Sequence, residues 1–166
     1  ACSASPPMVM RVLGACPCCY ERHTRSDNGI DIVIPAEQLK AIAHWSRELK
    51  EEEFERARKG IVTRAFSKGA YVFHVGDRFE QWTGVMSGLA SIGMVSAKGK
   101  ATSLIGVPAG GWFGEGTVLK DEPRRYDVVA LRDTQMALMN RATFLWLNEN
   151  SVAFNRYLVP WTNSLF

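Results

Sequence analysis

No cysteine occurs after Cys19: all four, Cys2, Cys16, Cys18 and Cys19, fall in the first nineteen residues. Nothing later in the chain can bridge to them, which argues against a disulfide framework and for a reducing, cytoplasmic setting. Histidine is scarce too. Of His23, His44 and His74 only the last lies among candidate strands, too few for the cluster a metalloenzyme builds inside a β-barrel. No charge predominates: a net charge of +3 over 166 residues announces no basic surface for nucleic acid or membrane. No apolar run approaches the roughly 18 residues of a membrane span. The apolar patch near the N-terminus has no basic leader before it, as a secretory signal would. Neither Gly-x-Gly-x-x-Gly nor Gly-Lys-Ser/Thr occurs, so dinucleotide and P-loop chemistry find no motif. No nucleophile–histidine–acid set stands out, and the expectation is a protein that is not an enzyme.

What is present suits one globular domain. Hydrophobic residues make up 46% and charged residues 22%, and the length supports one core better than two. Residues 1–34, with Pro6-Pro7 and Cys16-Pro17-Cys18-Cys19, read as an arm. From Pro35 the apolar spacing turns helical through Leu39, Ile42 and Ala43, and then through Leu49, Phe54 and Ala57, giving two short helices broken near Leu49. Glu51, Glu52 and Glu53 read as a solvated face. After Gly60 the period falls to two. Strands are expected at Ile61–Phe66, Tyr71–Val75, Thr83–Met86, Leu89–Val95, Thr102–Val107, Tyr126–Leu131 and Gln135–Met139, with turn residues between them. Short strands so spaced indicate an antiparallel sandwich or barrel. Asn140 and Ser151 are placed to cap two further helices, the second of which Pro160 should stop. The five tryptophans read as core or interface aromatics.

One stretch carries chemistry: Gly110–Leu131, "GGWFGEGTVLKDEPRRYDVVAL". Backbone N–H groups at Gly114, Glu115 and Gly116, opening a helical turn, form an anion-binding nest. Arg124 can give a charge-assisted bond to a phosphate oxygen, and an ionised Glu115 can only accept, as from a sugar hydroxyl. Arg125 follows directly; pointing inward it would crowd a phosphate, and pointing outward it is a surface charge. Asp127, if inward, would oppose a phosphate by like charge.

Together with "KGAYVFHVGD" and "GVMSGLASI", this stretch resembles the cyclic-nucleotide-binding domain of Crp/Fnr-type bacterial transcription regulators. The three lines stand in that family's order: Gly-x-x-apolar-apolar-x-x-Gly-Asp, a Val-x-Ser-Gly hairpin and a Phe-Gly-Glu phosphate cassette, over roughly residues 36 to 159. The resemblance implies a mainly β fold, a double-stranded β-helix or jelly roll flanked by short N- and C-terminal helices, over residues 35–159. It also implies a cyclic nucleotide such as cAMP or cGMP as effector, contacted by Gly114, Glu115, Gly116 and Arg124, with Arg125 beside them, and a homodimer as the assembly. Two departures stand out. The family has Ser, Thr or Ala after the arginine and then a small residue, where this chain has Arg125 and Tyr126. The family also continues into a long dimerisation helix and a winged helix-turn-helix, whereas residues 160–166 form a stub, which places DNA binding outside this chain. Two other readings stay open. One is a jelly-roll interaction or dimerisation module without a small ligand. The other is a redox or metal sensor using Cys16, Cys18 and Cys19, although their spacing is tighter than that of iron–sulfur relatives and the barrel adds no cysteine.

Overall fold

The computed structural model describes residues 32–78, 81–95 and 101–164. Among them are nine strands: β1 (Ile32–Val33), β2 (Ile61–Phe66), β3 (Tyr71–Phe73), β4 (Gln81–Ser87), β5 (Leu89–Val95), β6 (Ala101–Pro108), β7 (Trp112–Phe113), β8 (Asp127–Ala130) and β9 (Thr134–Asn140). They form two antiparallel sheets, in the orders β1-β2-β9-β4-β7 and β3-β8-β5-β6. The helices are α1 (Ala36–Ile42), a 3-10 turn at His44–Glu48, α2 (Glu51–Lys59), α3 (Glu115–Lys120), α4 (Arg141–Asn150) and α5 (Val152–Ser164). The fold is mainly β, the jelly roll with flanking helices that the sequence implies.

Alternation along the strands divides the apolar residues between two cores. Successive strand side chains point to opposite faces, and β9 uses both. Met136 and Leu138 join Phe73, Val85, Val107, Phe113 and Val128 between the sheets. Ala137 and Met139 face the helices with Trp45, Trp82, Trp112, Phe144, Leu147 and Phe154. The helix-side core is dominated by aromatic edges: Trp82 meets Trp112 at 4.5 Å, Phe144 at 5.3 Å and Phe154 at 5.5 Å. Gly84 makes room for this packing, since a Cβ there would come within 2.5 Å of the Trp112 ring. Burying so many rings on one sheet face fixes the helices to the sheet, at roughly 1.5–3 kcal/mol for each fully buried large side chain.

The expected caps form. The Asn140 carboxamide oxygen accepts from Thr143 N–H at 2.8 Å, and the Ser151 hydroxyl accepts from Phe154 N–H at 3.2 Å. The chain breaks at Leu49, as expected, and also at Ala43, where α1 gives way to the 3-10 turn. Four features differ from the sequence reading. Ile32 and Val33, assigned to the arm, pair with β2. Trp112–Phe113, read only as part of the cassette, forms a strand paired with β4. Glu53 is buried rather than solvated, because its carboxylate accepts from Lys50 N–H at 3.0 Å and from the Ser151 hydroxyl at 3.1 Å, joining α2 to α5. Pro160 does not stop α5, which runs on to Ser164. The proline falls on an exposed stretch beyond buried Phe154 and Leu158, whose packing holds the preceding turns helical. The Cys16, Cys18 and Cys19 candidates lie outside the described residues.

Candidate functional site

Two of the three motif lines, "KGAYVFHVGD" and the cassette, meet at Arg124. The Gly76–Asp77 turn clamps its main chain: Gly76 N–H donates to the Arg124 carbonyl at 2.8 Å, and Arg124 N–H donates to the Asp77 carbonyl at 3.0 Å. Asp77 fixes that turn by accepting His74 N–H at 2.8 Å. Held this way, the Arg124 side chain enters the space between the sheets and is 1% exposed. Its guanidinium lies 3.9 Å over the Phe73 ring and donates to the Gln81 carbonyl at 2.8 Å. Nη1 reaches the Tyr126 hydroxyl at 3.4 Å, and Nε is buried without a hydrogen-bond partner. Among the described residues, no carboxylate is in ion-pair contact with it.

The cassette supplies the opposite wall. Gly114 sits at φ +94°, a conformation that favours glycine. A Cβ there would stand 3.0 Å from Arg124 Nη1, so the missing side chain also makes room for the guanidinium. The cassette is anchored by Trp112, whose indole N–H donates to the Ile42 carbonyl at 3.2 Å. Past Gly114, Glu115 and half-buried Gly116 begin α3, whose first-turn amides have no carbonyl four residues back within the helix. Arg141 Nε donates to the Val118 carbonyl at 3.2 Å and ties α3 to α4.

Glu115 is 5% exposed, and burial raises its carboxyl above the ordinary value of 4.5. Its own main-chain amide, the Trp82 indole and the Arg124 charge act the other way. Trp82 Nε1 is itself buried without a hydrogen-bond partner, although near enough to favour the charged carboxylate. Burial likewise lowers Arg124 from its ordinary value, offset by Tyr126, Asp77 and Glu115. Tyr157 on α5 also feels this region: burial first, then the Glu115 charge, push its phenol up to about 12.

Alternation at the entry to β8 sorts the residues after Arg124. Arg124 and Val128 are buried, Tyr126 is half-buried on the same side, and Arg125 points out. The Arg125 side chain is 72% exposed and pairs with Glu122 at 2.7 Å. It is the surface charge of the two alternatives, and it crowds nothing. Asp127 also turns away from Arg124, accepting Val75 N–H at 2.8 Å with His74 Nδ1 at 3.9 Å. The structure thus brings Gly114, Glu115, Gly116 and Arg124 together and leaves Arg125 outside. Phe73, the Gln81 carbonyl, Trp82 and Thr117, none singled out from sequence as site residues, complete the surroundings with Tyr126, which the sequence marked only as a departure from the family. Only Tyr126 left a signal, as an aromatic residue two positions beyond the arginine, on the arginine's own face.

The cyclic nucleotide-binding domain family matches residues 63–151, more than half of the chain. This chain belongs to that family. No curated protein sequence matches it. Among solved structures, the domain is similar to the regulatory domain of Toxoplasma gondii PKA with cAMP, at 23% identity and TM-score 0.67, covering 79% of this chain and 49% of that one. The sensor domain of the transcriptional regulator DNR from Pseudomonas aeruginosa aligns at 17% identity and TM-score 0.67, over 77% of this chain and 85% of that one. A regulatory subunit of a cAMP-independent protein kinase A from Trypanosoma cruzi, bound to guanosine, aligns at 20% identity and TM-score 0.60, over 77% and 48%. Identities this low carry the fold alone. The chain spans about half the length of the Toxoplasma and Trypanosoma chains it matches. Among the described residues, no helix is long and apolar enough to cross a membrane.

Proposed function

We propose that this chain is the ligand-sensing domain of a regulator of the Crp/Fnr type, taking a small nucleotide-like ligand between Glu115 and Arg124. The observation that carries this reading is the Arg124 guanidinium, 1% exposed, with Nε unpartnered and, among the described residues, only neutral acceptors on its other nitrogens. A buried charge is costly unless it is paired. Its persistence here, clamped by the Gly76–Asp77 turn and facing Gly114, suits a group held ready for an electron-rich ligand. Glu115 complements it as an acceptor for a ligand hydroxyl. The role is binding rather than catalysis, and DNA reading belongs to a separate domain of the regulator. Kinase regulatory subunits share the fold, and the transcriptional class is proposed on the resemblance of the motif lines to Crp/Fnr-type regulators.

Calorimetric and thermal-shift titrations with cAMP, cGMP, adenosine and guanosine test the reading. A saturable ligand at a hundred times its dissociation constant adds about 2.7 kcal/mol and raises the melting midpoint by several degrees. The gain should shrink in Glu115→Gln. Absence of any saturable shift at millimolar ligand would leave the jelly roll as an interaction module.

A further inference from the structure

We propose that Tyr126 sets the ligand class of this site: its hydroxyl stands beside Arg124 and Thr117 where a ligand's anion would sit, so an anionic ligand must displace it. The inference rests on the ligand-sensing reading above. Tyr126 shares the inward face with Arg124 through the two-residue strand period, and its ring packs with the residues between the sheets. Its Oη lies 3.4 Å from Arg124 Nη1, and its ring centroid is 5.9 Å from the guanidinium carbon. Thr117, in the first turn of α3, is its second polar neighbour. The phenol therefore stands against the arginine, with the first turn of the cassette helix near it.

The distances indicate a replaceable occupant. At 3.4 Å the phenol–guanidinium bond is at the long end of hydrogen-bond range, well beyond the 2.7–2.9 Å usual for a charged donor and a charged acceptor. An anion would make the stronger bond, but only after moving a half-buried ring. A neutral ligand that presents hydroxyls to Glu115 has no such requirement. Tyr126 thus weighs against cyclic phosphates and in favour of uncharged nucleosides. Tyr126 does this directly, and Arg125, which faces solvent, takes no part.

The test compares cAMP with adenosine by calorimetry in the parent, Tyr126→Ala, Tyr126→Phe and the double variant Arg124→Met/Tyr126→Ala. In Tyr126→Ala, cAMP should bind at least tenfold tighter than in the parent, or become measurable where it was not, while adenosine changes by less than threefold. The double variant should lose the cAMP gain. Tyr126→Phe keeps the ring, and with it the packing, and should tighten cAMP about threefold; it decides the matter if the alanine variant does not fold. Unchanged or weaker cAMP binding in the folded variants overturns the proposal, as does an equal gain for adenosine, the signature of a merely enlarged cavity. If the parent binds either compound but the variants do not change the ratio, the tyrosine proposal alone fails. If no folded chain binds either compound, the ligand-sensing reading fails with it.

Discussion

Replacing Arg124 with methionine separates a ligand-binding arginine from a structural one. The side chain is 1% exposed, and a guanidinium taken out of water loses several kcal/mol of solvation. Against this stand one charge-assisted bond to the Gln81 carbonyl at 2.8 Å, about 1.5–3 kcal/mol, and stacking on Phe73 at 3.9 Å, about 2 kcal/mol. The 3.4 Å contact to Tyr126 adds little, and Nε has no partner. Methionine has comparable reach, keeps a favourable sulfur contact with the Phe73 ring, and carries no charge to desolvate. The lost solvation and these contacts, with the Asp77 and Glu115 attraction, nearly cancel, so the variant should lie within about 1 kcal/mol of the parent. Urea denaturation and calorimetry of Arg124→Met should therefore show a midpoint within a few degrees of the parent, with any anionic ligand binding abolished. A loss of more than about 2 kcal/mol would refute the reasoning and make Arg124 a structural residue, held for its contacts with Phe73 and the Gln81 carbonyl.

Two further perturbations address the cassette. Gly114→Ala puts a Cβ on a backbone at φ +94° and within 3.0 Å of Arg124 Nη1, and should cost about 1–2 kcal/mol in urea denaturation; an unchanged midpoint would mean that the turn rearranges freely. Glu115 has a folded-state carboxyl raised by burial, so its contribution to stability is fully present below its unfolded value near 4.5 and is lost as pH rises through the folded value. Glu115→Gln removes that loss, so its stability relative to the parent should improve between pH 4 and pH 7; a difference independent of pH would contradict the raised carboxyl.

Local pattern was enough to locate much of this protein. Short-range sterics alternate side chains along strands, and the strands at Ile61–Phe66 and Leu89–Val95 could be read to the residue. Asn140 and Ser151 cap where they stand because a cap needs only a side-chain oxygen and an amide three residues on. The cassette glycines, Glu115 and Arg124 were legible as a motif for the same reason. Even the outward course of Arg125 follows from alternation, once Arg124 is known to point in. Tertiary structure decided what those residues meet. Arg124 finds the Gln81 carbonyl 43 residues away, Trp112 the Ile42 carbonyl at 70, and Ser151 the Glu53 carboxylate at 98. Such partners depend on sheet order and register, which no short window encodes, and burial by distant elements turned Glu53 from an apparent surface charge into a link between helices. The same long-range packing carries α5 past Pro160 and sets the Tyr126 hydroxyl against Arg124. Sequence named the family of the site, and the packing of its two sheets determined what already stands in it.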